Sequence, residues 1–204
     1  MPEVHSRNDA ARRSAWLVVA FCCAAAAGQP PASLPATQPA VETLAAARQR
    51  LSRTASKERT RSDRALLAGL ELALALGRAD GTAAGNLIDV VGYQSLPLTG
   101  PLLERPAKPV PAKEVSRVVA ARSPLDLAHL TLDQVLVATR AQLQSEFPAV
   151  AAWMLPQDLA VVFRPFPNGR AGWIRQPACV VVRLRGERAT VIGGNLLEAL
   201  GIAP

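Results

Sequence analysis

The sequence predicts an α+β fold: a long N-terminal basic helix, then a small C-terminal domain of helices packed on an antiparallel sheet of about four strands. Three observations predict it. Val41 to about Arg78 contains no proline and is dominated by helix formers. Helix-start signals recur at Ser123-Pro124, Thr131-Leu132-Asp133-Gln134 and Asn195-Leu196-Leu197-Glu198. Alternating apolar residues flank Gly186-Glu187, the signature of a tight hairpin.

Residues 1–28 read as a secretory signal peptide. Arg7, Arg12 and Arg13 precede an uncharged apolar run from Ala15 to Ala27, which ends in small residues. The run is shorter than the about 20 apolar residues that cross a bilayer as a helix. Cleavage is expected between Ala26 and Gln29. A twin-arginine export signal at Arg12-Arg13 and lipidation at Cys22 or Cys23 are weaker readings, the latter because bulky Phe21 precedes the cysteines. Residues 29–40, QPPASLPATQPA, read as a Pro-rich linker.

Residues 41–80 read as one basic amphipathic helix, with a break admissible between Thr54 and Thr60. At 100° per residue Arg50, Arg53, Lys57, Arg61 and Arg64 share a narrow stripe, while Val41, Leu44, Leu51, Ala55, Leu66 and Leu70 lie opposite. Arg48 and Arg59 fall on the apolar side, and Leu72 and Leu76 fall away from it. Such a stripe is either a solvated face, an anion-binding surface for phosphate-rich polymers or lipid headgroups, or a face for a partner helix. Residues 81–114 carry repeated glycine and then Pro97, Pro101, Pro106, Pro109 and Pro111, and read as a second linker with one short apolar element at Leu87 to Val91.

The C-terminal domain spans 115–204. Leu132, Val135, Leu136, Thr139, Leu143 and Phe147 share one helical face and predict a helix that Pro148 interrupts, with a further turn over Ala149 to Met154 carrying Trp153 inward. Strands are expected at 159–164 and 171–175, turning at Pro167-Asn168-Gly169. A second hairpin turns at Gly186-Glu187 and pairs Arg185 with Arg188 and Arg183 with Thr190. Alternation places Val180, Val182, Leu184, Ala189 and Val191 on a buried face, and Cys179, Val181, Arg183, Arg185, Arg188, Thr190 and Ile192 on the other. Arg183, Arg185 and Arg188 are either solvated strand-end charges or guanidinium donors for an acidic partner.

The formal net charge is +7, and loss of the signal would leave about +6. Export would also leave Cys179 as the single cysteine, a packed thiol or a group for pairing between chains. His129 would be the single histidine, so no conventional zinc site and no cofactor are expected. A Cys179–His129 pair, carboxylates among Asp126, Asp133, Glu146 and Asp158, and the Gly193-Gly194-Asn195 turn are the remaining chemical candidates, and none carries a recognised motif. Nucleic acid is disfavoured as a partner by export and by the lack of interleaved aromatics. The expected function is that of an exported, periplasmic or cell-envelope interaction module, more a binder than an enzyme. It would hold an anionic envelope component or a protein through Arg183, Arg185, Arg188, Arg50, Arg53, Lys57, Arg61 and Arg64, with peripheral membrane contact as one form of this. The alternatives are an exported hydrolase or transferase using acids or a serine, and a passive assembly subunit.

Overall fold

The computed structural model describes residues 42–96, 108–125, 131–164 and 177–202. Helix α1, Leu44–Arg53, starts where the Thr43 hydroxyl accepts from the Ala46 amide at 3.2 Å, and it buries Leu44, Ala47 and Leu51 on one face. The chain then turns extended at Thr54 and makes a 3₁₀ turn over Ser56–Glu58. Arg59 clasps this corner, donating to the carbonyls of Thr54 and Ser52 at 3.0 and 2.9 Å. Helix α2, Arg61–Gly77, begins at a capping box in which Thr60 and Asp63 exchange hydrogen bonds, holding the Asp63 carboxyl below its ordinary range. One continuous helix is therefore replaced by two, and the break falls where the sequence admits one.

The amphipathic reading of α2 is also corrected. Leu70, Leu72, Ala73 and Leu76 are all fully or almost fully buried, because α2 lies between the sheet on one side and α1 and α3 on others. Gly69 permits the approach to the sheet, since a Cβ there would lie 2.8 Å from the Val161 side chain. Ala79, with φ 56°, turns the chain, and Asp80 caps helix α3, Gly81–Leu87.

The stretch read as a second linker is in part core. Besides α3 it holds strand β1, Gln94–Ser95, with Ile88, Tyr93 and Leu96 buried. Helix α4, Ala112–Ala120, packs on α3. The predicted helix over 132–147 is corrected as well: a 3₁₀ turn at Leu132–Gln134 leads into strand β2, Val135–Thr139, and only then come the short helices α5, Arg140–Leu143, and α6, Pro148–Trp153. The capping box is at Thr139 and Gln142, not at Thr131. Strands β3, Leu159–Phe163, β4, Ala178–Arg185, and β5, Arg188–Gly194, follow, then helix α7, Leu196–Ala199.

Among the described residues the sheet has five strands in the order β1-β5-β4-β3-β2, with β1 parallel to β5 and the other pairs antiparallel. The fold is α+β, with one more strand than the sequence suggests. The strand expected at 171–175 and its turn lie outside the described residues, as do Asp126 and His129. One sheet face, carrying Val161, Phe163, Val180, Val182 and Val191, joins the core formed with α1, α2 and α7. The opposite face, carrying Ala160, Val162, Cys179 and Val181, packs on Phe147, Val150 and Met154 from the α5–α6 region. The sheet is thus covered on both faces, not on one. The basic region 41–80, read as a helix ahead of a separate domain, contributes Leu44, Leu51 and Leu70 to the same core as the sheet.

Candidate functional site

The β4–β5 hairpin organises the site. Gly186 adopts φ 62°, open to it at no steric cost, so two residues reverse the chain and pair Arg185 with Arg188 and Arg183 with Thr190, as the sequence predicts. Val182 pairs with Leu159 on β3. The next residue, Arg183, therefore meets Asp158 just ahead of that strand. Its Nε and Nη2 donate to the two carboxylate oxygens at 2.9 and 2.8 Å, and the Leu155 amide donates to the same carboxylate at 3.0 Å. The Asp158 side chain is wholly buried, and its hydrogen bond raises the Arg183 pKa further. The geometry is a two-pronged guanidinium–carboxylate pair, with few donors left to face outward.

Arg185 lies 3.5 Å from the almost fully buried carboxylate of Asp89. Asp89 also accepts from the Thr190 hydroxyl at 3.0 Å and the Val91 amide at 3.1 Å. Burial pushes the Asp89 pKa up, but the Val91 and Thr190 hydrogen bonds with the Arg185 and Arg183 charges hold it below its ordinary value. Asp89 thus offsets the repulsion between Arg185 and Arg188. Arg188 is exposed, and its side chain hydrogen-bonds to none of the described residues.

The helix stripe is divided by the corner at Thr54–Thr60. Arg50 stays on α1, donating twice to Glu42 at 3.0 Å, which lowers the Glu42 pKa. Arg53 is exposed at the end of α1. Arg61 donates to the Gln157 carbonyl at 2.8 Å, beside the Asp158–Arg183 pair, and Arg64 donates to the Gly186 carbonyl at 2.6 Å. The Ser56 hydroxyl donates to Glu187 at 3.1 Å and ties the turn bearing exposed Lys57 to the hairpin tip. The structure therefore brings Lys57, Arg61, Arg64, Arg183, Arg185 and Arg188 to one end of the sheet and leaves Arg50 apart. Arg64 and Arg183 there fasten the fold.

The chemical alternatives fare differently. Cys179 is fully buried, and burial pushes its thiol up to about 12, so it is a protonated packing group. Asp158 is held by Arg183, and Glu146 lies 4.0 Å from Arg164. Among the described residues no group of three or more His, Cys, Asp or Glu could hold a metal ion, and no helix is long and apolar enough to cross a membrane. Asn195 turns its side chain to β4, accepting from the Cys179 amide at 2.7 Å, and does not cap α7. An open hollow of about 480 Å³ is lined by Thr139, Arg140, Ala141, Gln144 and Pro156, and it holds no nucleophile–base pair.

The sequence missed a buried polar pair. The Tyr93 hydroxyl and both Glu198 carboxylate oxygens are buried and find no well-formed hydrogen bond among the described residues. Burial raises both pKa values, the nearby Glu198 charge adds to the rise at Tyr93, and Ser95 opposes the rise at Glu198. Nor are Asp89 and Asp158 legible as counterions before the strand order is known. No family model, no curated protein and no solved structure matches the chain.

Proposed function

We propose that the chain is an exported, non-enzymatic interaction module of the cell envelope that holds an anionic partner through the cationic end of its sheet. The observation that supports this reading is the sorting of the basic side chains. Arg64 and Arg183 are used internally, whereas Lys57, Arg185 and Arg188 are exposed around one tip that the Ser56–Glu187 contact ties down. Cations carried on an ordered backbone attract an anionic surface without the cost of first ordering a flexible segment. Export rests on the basic start and the short apolar run before Gly28.

The test is retention of the full chain on phosphocellulose. K57Q/R185Q/R188Q is expected to elute at clearly lower salt than wild type. R78Q/K108Q/K113Q removes the same number of exposed charges elsewhere and is expected to elute close to wild type. Equal shifts in the two variants would reduce the effect to net charge and refute a dedicated surface.

A further inference from the structure

The turn between α3 and β1 presents Val90 and Val91 side by side, 84% and 69% exposed. Leu155 is the other large apolar side chain exposed among the described residues. Single exposed apolar residues are ordinary. Val90 and Val91 are the two central residues of a β-turn, positions that ordinarily take glycine, proline or short polar residues and not two adjacent β-branched apolar ones. The turn is well held: Ile88 bridges Val191, the Asp89 amide donates to the Val191 carbonyl at 2.9 Å, and the Gly92 amide donates to the Asp89 carbonyl at 2.9 Å.

The same turn is joined to the cationic tip. One oxygen of Asp89 accepts from the Val91 amide, and the other faces the Arg185 guanidinium at 3.5 Å. Arg188 lies directly across the ladder from Arg185. A small apolar wedge is therefore fixed beside exposed arginines. Two valines are far too small a patch for a stable protein interface, which covers about 800 Å² on each partner. A bilayer makes no such demand: a small wedge enters the headgroup boundary while neighbouring cations meet anionic headgroups.

We propose that Val90 and Val91 insert into the interface of an anionic lipid bilayer while Arg185 and Arg188 engage its phosphate groups. This rests on the hairpin tip being the anion-binding surface. The experiment is co-sedimentation of the full chain with vesicles of equal parts phosphatidylglycerol and phosphatidylcholine, with phosphatidylcholine vesicles alone, and in parallel binding of soluble long-chain polyphosphate. V90S/V91S is expected to lose about tenfold in partitioning to the anionic vesicles with polyphosphate binding unchanged. Wild type and variant share the same N-terminal segment, so their ratio isolates the two valines. Circular dichroism confirms that the variants are folded. Unchanged partitioning of V90S/V91S would overturn the insertion and leave the anion reading standing, as would a wild type that binds polyphosphate but neither vesicle. An R185Q/R188Q variant that keeps both vesicle and polyphosphate binding would overturn the anion reading itself.

Discussion

Asp158 is the most demanding residue in the fold, because a wholly buried carboxylate is tolerated only while its charge and lone pairs are met. Arg183 meets them with two hydrogen bonds. R183A is therefore expected to destabilise the protein by about 3 kcal/mol in urea unfolding, whereas R188A, at an exposed position, should change stability by less than about 0.5 kcal/mol. Equal effects would contradict the division into a structural and a free arginine. Glu198 works in the opposite sense. Its pKa is raised in the folded protein by burial, so folding binds a proton there, and stability is lost as pH rises from the ordinary carboxylate value through the raised one. E198Q should therefore match wild type at low pH and exceed it in melting temperature at neutral pH; a lower melting temperature at neutral pH would show that the ionised carboxylate is stabilising. At this scale the sequence showed which arginines share a strand face, since alternation is local. It did not show their counterions, because Asp89 and Asp158 reach them only through strand pairings between distant parts of the chain.

Among the elements, the tip of the β4–β5 hairpin was legible, because a two-residue turn with glycine first fixes the register from Arg185–Arg188 to Val182–Val191; the register shift between Val181 and Val182 was not, since no turn residue announces it. Residues 132–139 were not. Leu132, Val135, Leu136 and Thr139 satisfy a helical period, but Val135, Val137 and Thr139 are β-branched, and pairing of all five β2 residues with β3 decides the outcome. Two local signals would have helped: Thr139-Arg140-Ala141-Gln142 and Thr60-Arg61-Ser62-Asp63 are both capping boxes in the structure, and each marks a true helix start. Helix α2 was misread as half-exposed, since no wheel reveals that other helices cover its second side. Its contact with the sheet is closest at Gly69. G69A gains helix propensity of about 1 kcal/mol yet forces a methyl group onto Val161, and a net loss of about 1–2 kcal/mol is expected in chemical denaturation. A stabilised G69A protein would mean that α2 and β3 are not so closely apposed.

Taken as a whole, the molecule directs its charge. The net charge of +7 is spread along the sequence, but folding turns part of it into internal pairs and leaves Lys57, Arg185 and Arg188 exposed at one tip. Export is an independent part of the proposal: intact-mass analysis of the natively produced protein should show loss of about 28 residues, and a chain retaining them would remove the envelope from the account. The most direct test of the central claim is the affinity of the full chain for labelled long-chain polyphosphate across a range of salt concentrations, for wild type and R185Q/R188Q. Wild-type affinity is expected to fall steeply with salt, and the variant to bind more weakly with a shallower dependence, because fewer cations meet the polymer. Superimposable curves for the two proteins would contradict the claim.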